Sequence, residues 1–188
     1  MKKDDPEKGH RRSIRLRGYD YSRAGAYFIT IATYDRKCMF GEVADGEMRV
    51  NALGEIARDE WFKTAVARRY VCLEENEFIV MPNHIHGIIR IVDEMARATH
   101  RVAPTGPPPG SISAVIGQFK SVAAKRINKL RGTQGNPVWQ RNYYEHVIRN
   151  EDLLNRIRQY IRDNPTRWAM DRDNLQAVTP EPENAWRK

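Results

Sequence analysis

The stretch EFIVMPNHIHGIIRIV, Glu77–Val92, sets the expected architecture of this chain. Two apolar runs rich in β-branched residues flank Pro82-Asn83, a dipeptide typical of a tight turn. The pattern predicts a strand over Glu77–Met81 and a returning strand over His84–Val92. Antiparallel strands therefore form the centre of the fold.

Similar patterns on either side extend this sheet. Ala26–Tyr34 is aromatic and β-branched, Arg36–Val50 contains the hairpin-type turn Asp45-Gly46, and Tyr143–Ile148 has strand composition. The Pro-rich segment from Arg101 to Ser111 is expected to be a loop.

Three helices are predicted between and after these strands. One covers Asn51–Arg68, and another ends before Pro165, with Asn150 as its N-cap. The remaining helix is predicted from apolar residues at helical spacing: Ile112, Val115, Ile116, Phe119, Val122, Ala123, Ile127 and Leu130. Helices separated by short-turned strands favour an α+β fold, an antiparallel sheet with the helices packed on one face.

The composition favours a single globular domain with an anionic partner. The chain has 188 residues, 40% of them hydrophobic, with a net charge of +8 and a mean hydropathy of −0.71. No apolar run approaches the roughly 20 residues of a membrane-spanning helix. The cysteines, Cys38 and Cys72, lack metal-type spacing and suit a reducing compartment. Arginines beside aromatic residues fit single-stranded nucleic acid, although a solvated basic surface explains them equally well.

His84 and His86 are expected on the same face of their strand, because alternate residues of a strand share a face. Two neighbouring imidazoles form half of a divalent-metal site, yet they are also ordinary polar residues of a half-exposed sheet. Ile88 occupies the position of a third histidine, and no H-E-x-x-H motif is present, which argues against a zinc hydrolase.

The last helix carries Leu153, Ile157, Tyr160 and Asn164 along one stripe. Tyr160 is a candidate nucleophile and the Asn164 amide oxygen a candidate third ligand. A tyrosine at the edge of an amphipathic helix remains the alternative. Asn164 precedes Pro165, so its backbone is expected to leave the helical conformation.

Four segments together resemble the REP-associated tyrosine transposases, bacterial single-tyrosine members of the HUH endonuclease superfamily. They are MPNHIHGII, IGQFKSVAAKRIN, VWQRNYYEHVIRN and QYIRDNP, and the resemblance runs from Arg15 to Trp168. It implies a ferredoxin-like HUH fold. It also implies that His84, His86 and Asn164 bind Mg²⁺ or Mn²⁺.

The resemblance further implies an activity. Tyr160 would attack single-stranded DNA at imperfect palindromes and form a 5′-phosphotyrosine, which a 3′-hydroxyl could later reverse. The expected partner is single-stranded DNA with hairpins such as repetitive extragenic palindromes. We also expect a cytoplasmic, nucleoid-associated protein, without membrane contact and monomeric rather than dimeric. Glu145 and His146 receive no role.

Basic and aromatic residues outside this set are candidates for DNA contact. Phosphate contacts are predicted for Arg15, Arg17, Arg23, Lys120 and Arg141, and base stacking for Tyr19, Trp139 and Tyr143. The aromatic residues have core packing as their alternative. Residues 1–14 are expected to be a flexible basic tail, 15–168 a single domain and 169–188 a polar C-terminal tail.

Two other functions stay open at this level. One is a non-catalytic protein that binds single-stranded nucleic acid. The other is a metal-dependent phosphodiesterase that uses water as its nucleophile.

Overall fold

The computed structural model describes residues 19–92, 110–182 and 186. The strands are β1 (Gly25–Ala32), β2 (Gly41–Ala44), β3 (Glu47–Val50), β4 (Val71–Cys72), β5 (Phe78–Met81), β6 (His84–Ile91) and β7 (Tyr144–Ile148). The helices are α1 (Ala52–Ala67), α2 (Ile112–Arg131) and α3 (Glu151–Asp163). The predicted basic tail and most of the predicted Pro-rich loop lie outside the described residues. Both cysteines are unpaired and exposed.

A five-stranded antiparallel sheet organises the chain, as predicted. Its strands follow the order β4-β6-β1-β7, and β5 pairs with the other half of the β6 edge. The hairpin of β5 and β6 closes on the pair Met81–His84, so Pro82 and Asn83 form its turn. A separate hairpin, β2–β3, turns at Asp45-Gly46, where both residues have positive φ. The α+β class is therefore confirmed.

Side-chain caps fix where the helices begin. The Asn150 side chain accepts a hydrogen bond from the Leu153 amide at 2.8 Å, and Asn51 caps α1 in the same way. At the C-terminal end of α2, Gly132 caps the helix in the left-handed conformation with φ 66°. The predicted N-cap of the last helix is thus confirmed. Leu130, predicted on the buried face of α2, is instead 58% exposed and lies in the last turn of the helix.

One face of the sheet packs against α1 and α2. Tyr27, Ile29 and Ile31 of β1 point to this side, and Trp61 of α1 lies directly over Gly87 of β6. A Cβ atom at Gly87 would lie only 2.3 Å from the Trp61 ring. Glycine is therefore required for the helix to approach the strand so closely.

The opposite face of the sheet is covered by α3 and Trp186. Phe28 and Ile88 of the sheet pack there against Ile157 and Ile161 of α3. The prediction of helices on one face only was therefore wrong. The cause is visible in β6, whose successive residues are nearly all buried, as expected for a strand covered on both sides.

An ion cluster ties α3 to the sheet. Glu77, buried just before β5, accepts hydrogen bonds from Arg90 of β6 and from Arg158 Nε of α3, the latter at 2.8 Å. Two guanidinium groups compensate for the burial of one carboxylate. This cluster sets the position of α3, and hence of Tyr160, relative to β6. In the described part of the chain, no helix is long and apolar enough to cross a membrane.

Candidate active site

The two histidines lie side by side on the α3 face of β6. Their Nε2 atoms are 3.0 Å apart, and the rings are 0% and 3% exposed for His84 and His86 respectively. Strand alternation places them as the sequence predicted. At this distance the two nitrogens could both bind a single divalent ion.

Asn83 determines the proton position on His84. The Asn83 amide group donates to the carbonyl oxygens of Arg36 at 3.1 Å and Asp173 at 2.6 Å. Its Oδ1 atom must therefore be the acceptor for His84 Nδ1, at 2.9 Å. A neutral His84 then carries its free lone pair on Nε2, the atom that faces His86.

Thr30 of β1 supports His86 from the other side. The Thr30 hydroxyl lies 2.9 Å from His86 Nδ1, and strand register pairs the two residues. A hydroxyl can donate or accept, so Thr30 serves either tautomer of His86. When the ring proton of His86 is on Nδ1, it donates to the Thr30 hydroxyl and leaves the lone pair of Nε2 available for a metal ion. Burial lowers the pKa of His86 well below its usual value, and the electrostatic effect of the neighbouring His84 lowers it further, so the His86 ring is neutral.

Asp171 completes a group of three metal-type side chains. Its carboxylate is 5% exposed, and Oδ2 lies 4.0 Å from His84 Nε2. Three ligand atoms lie within 4.8 Å of one another, one each from His84, His86 and Asp171. The other carboxylate oxygen accepts a hydrogen bond from the Asp173 amide at 2.6 Å. This buried group can hold a divalent ion.

Tyr160 is presented by α3 beside the histidines. Its ring centroid lies 5.3 Å from that of His86 and 6.1 Å from that of Phe28. Burial raises the pKa of the Tyr160 phenol, and the carboxylates of Asp171, Asp173 and Glu181 raise it further. The phenol is therefore protonated at neutral pH.

Asn164, one turn beyond Tyr160, is 1% exposed. Its backbone is still helical, with φ −58° and ψ −40°, so the expected departure before Pro165 was wrong. A hydrogen bond from its side chain to Tyr160 opposes the rise of the phenol pKa. Its Oδ1 atom is buried without a hydrogen-bond partner among the described residues. An amide oxygen without a partner suits a cation, since burying it unpaired is costly.

Two other tyrosines precede α3 but differ in their surroundings. Tyr143 packs against the core between the sheet and α2, and its hydroxyl donates to Ser113 Oγ at 3.3 Å. Tyr144 lies on the same face as His86, with its ring 6.3 Å from Phe28. Tyr144 of β7 pairs with Thr30 of β1, and Thr30 pairs in turn with His86 of β6. Tyr144 is therefore two strands away from His86.

The basic residues predicted to contact DNA divide by exposure. Arg15 and Arg17 lie outside the described residues, whereas Arg23 and Arg141 are exposed. Lys120 differs, because its ammonium donates to the backbone carbonyls of Gln140 and Arg141 at the start of the segment leading to β7. It thus has a structural contact already.

The aromatic residues predicted to stack on bases are all at least half-buried. Trp139 is a core residue that packs between Phe40 and Phe119, so its ring faces the protein interior. Tyr19 is half-buried and lies edge-on to Tyr21, with 4.9 Å between the centroids. For Trp139, the alternative prediction of core packing is therefore the correct one.

Sequence reasoning missed Thr30, Asn83 and Asp171. Strand register would have placed Thr30 beside His86, and Asn83 belongs to the very turn that begins β6. Asp171 lies in the segment interpreted as a polar tail, where no periodic pattern signals burial. Two buried aspartates and Trp186 show that this segment packs against the domain.

Comparisons with known proteins give a family and a fold. No protein-family model matches the chain. An uncharacterized protein of Haemophilus influenzae is 36% identical over 171 residues, covering 86% of this chain and 92% of that protein. The chain belongs to the same family as that protein. A second Haemophilus influenzae protein, described as "Putative REP-associated tyrosine transposase", is 25% identical over 150 residues, 79% of this chain and 74% of that protein.

A solved structure shares the fold. It is the structure of a REP-associated tyrosine transposase bound to a REP hairpin, with a TM-score of 0.53 and 22% identity, covering 82% of this chain and 73% of that one. The chain is therefore similar in sequence to a protein described as a REP-associated tyrosine transposase, and it shares its fold with a solved one. These similarities support a transposase-like role.

Proposed function

We propose that this protein cleaves and rejoins single-stranded DNA at hairpin-forming palindromes, with Tyr160 as its nucleophile. The observation that carries the proposal is the position of Tyr160, whose ring lies 5.3 Å from that of His86. Both neighbouring tyrosines are less suitable, because Tyr143 faces the other side of the sheet and Tyr144 is two strands away from His86. The family resemblance points to the same tyrosine.

His84, His86 and Asn164 are proposed to hold a divalent ion. The two imidazoles offer lone pairs at a suitable spacing, and the orphaned Asn164 oxygen offers a third. Imidazole ligands favour Mn²⁺, whereas cellular abundance favours Mg²⁺. A bound ion of this kind polarises the scissile phosphate and stabilises its developing charge.

The covalent step uses groups of the chain itself. The Tyr160 oxygen bonds to phosphorus while the bond from phosphorus to the 3′-oxygen breaks, and the phenol proton ends on that 3′-oxygen. The products are a 5′-phosphotyrosine and a 3′-hydroxyl. One phosphodiester linkage replaces another, so the reverse reaction can reseal the DNA. The side-chain hydrogen bond from Asn164 orients the phenol and favours loss of its proton.

Hairpin DNA is the proposed substrate because the structural neighbour was solved with a REP hairpin. The net charge of +8 is consistent with this partner, since basic proteins gain affinity for nucleic acid by releasing counterions. Arg23 and Arg141 are exposed and suited to contact the phosphates.

The test is formation of a protein–DNA adduct that survives SDS. The full chain is incubated with Mn²⁺ and labelled hairpin-bearing single strands taken from around its own gene. We expect an adduct with the wild type and none with His84→Ala, His86→Ala or EDTA, while hairpin binding persists because these ligands lie at the scissile phosphate.

Two outcomes would favour the other functions. Strand cleavage without any adduct would indicate a phosphodiesterase that uses water. Hairpin binding without cleavage would indicate a non-catalytic binding protein. Undiminished adduct in EDTA would contradict the metal dependence.

A further inference from the structure

Asp171 is a buried carboxylate with an unusual set of partners. Oδ1 accepts a hydrogen bond from the Asp173 amide, and Oδ2 lies 4.0 Å from His84 Nε2. The side chain beside this buried carboxylate oxygen is thus an imidazole and not an arginine, which would always carry a positive charge. Such a carboxylate is stabilised when a cation is bound beside it.

Asp173, two residues further on, offers a direct comparison. It is also buried, but its carboxylate pairs with the Arg36 guanidinium at 3.3 Å. The same short segment therefore presents one carboxylate that already has a cation and one that faces two histidines. The difference between them assigns separate roles: Asp173 holds the segment, and Asp171 faces the metal site.

We infer that Asp171 is the anionic ligand of the ion, which makes the segment after α3 a wall of the metal centre. The inference rests on the metal dependence proposed above. His84, His86 and Asn164 are all neutral ligands, and a carboxylate from Asp171 adds the charge that hard divalent cations prefer. Asp171 would also add a fourth donor atom from a different part of the chain, so the short Asn164 side chain is not the only ligand besides the histidines.

A consequence is that the ion and this segment stabilise each other. Residues 168–182 are held by contacts outside the ligand set, including Asn83 to the Asp173 carbonyl and Arg167 Nε to Glu181 at 3.0 Å. A ligand contributed by this segment couples its docking to metal affinity, and thermodynamic linkage makes that coupling reciprocal. Metal binding should therefore protect the segment from proteolysis.

The test measures Mn²⁺ binding to the full chain by calorimetry without DNA. We compare the wild type with Asp171→Ala and Asp171→Asn, and use Asp173→Asn as the matched control. Replacing Asp171 with alanine should weaken Mn²⁺ binding at least about 10-fold, the minimum typical of lost support at a metal site. Asp171→Asn should lie between alanine and the wild type, whereas Asp173→Asn should stay within about threefold of the wild type.

Trypsin provides a second readout at Arg172, inside the segment. Mn²⁺ should slow cleavage after Arg172 in the wild type but not in Asp171→Ala, as followed by mass spectrometry. Equal Mn²⁺ affinity in wild type and Asp171→Ala would overturn the inference, and so would no Mn²⁺ binding by the wild type. Equal weakening by Asp171→Ala and Asp173→Asn would also overturn it, since segment docking alone would then explain the loss. A missing DNA adduct with the expected Mn²⁺ affinities would refute the proposed reaction and leave the ligand assignment standing.

Discussion

Replacing Gly87 with alanine tests the close packing of α1 on β6. The new Cβ would lie 2.3 Å from Trp61 Cζ2 and 2.9 Å from Cε2, far inside van der Waals contact. The indole cannot easily withdraw, because Phe78 stacks on it at 5.1 Å and Phe119 meets its edge at 5.5 Å. We therefore expect destabilisation at the upper end for an overpacked core, about 3 kcal/mol. For a chain of this size, that loss lowers Tm by roughly 6 to 12 °C.

Gly117 provides the matched control for this substitution. It lies on the exposed side of α2, and a Cβ there would meet nothing within 4 Å. Gly117→Ala should raise the free energy of unfolding by about 0.5 to 1 kcal/mol, because alanine restricts the unfolded chain and favours helix. Urea unfolding and calorimetry measure both variants. A Gly87→Ala protein as stable as the wild type would refute the packing argument.

Three further predictions concern the support of the site and its substrate. Thr30→Val keeps the shape of the side chain but removes the partner of His86 Nδ1, so Mn²⁺ affinity should fall about 10-fold in calorimetry; unchanged affinity would contradict the tautomer argument. Glu77→Gln leaves Arg90 and Arg158 without their shared carboxylate and should cost about 2 kcal/mol in urea unfolding, less than for fully buried pairs because both arginines reach solvent. The control Glu151→Gln removes an exposed ion pair with Arg158 and should change stability by less than about 0.5 kcal/mol; equal losses in the two variants would refute the role of the buried cluster. Binding should prefer hairpin-bearing single strands over duplex of the same sequence and weaken steeply with salt in fluorescence titrations, and equal affinity for plain duplex would count against a single-strand enzyme.

The central sheet was predictable because its signals are local. The run over Glu77–Val92 contains two strands and their turn, and Asn150 lies three residues before the amide that it caps. The side of the sheet that α3 covers was not predictable in the same way. It depends on long-range contacts such as the one between Glu77 and Arg158, 81 residues apart in the chain.

The site follows the same division. Strand periodicity places His84 and His86 together, and helical periodicity places Tyr160 and Asn164 on one stripe. Asp171 follows Pro165 and the short 3-10 turn Trp168–Met170, where neither strand nor α-helix periodicity applies. Its burial comes from contacts between that segment and the turn at Asn83, which link residues 90 positions apart.

The most direct test of the central claim is to map the DNA-linked peptide by mass spectrometry. The wild type is reacted with a hairpin-bearing single strand, digested, and its covalently attached nucleotide is assigned to a residue. We expect a phosphotyrosine at Tyr160. Tyr160→Phe, which keeps the packed ring against Phe28, should fold and bind the hairpin without forming an adduct, while Tyr143→Phe and Tyr144→Phe retain adduct formation. A DNA-linked peptide carrying the phosphate on Tyr143 or Tyr144, or full adduct formation by Tyr160→Phe, would contradict the account.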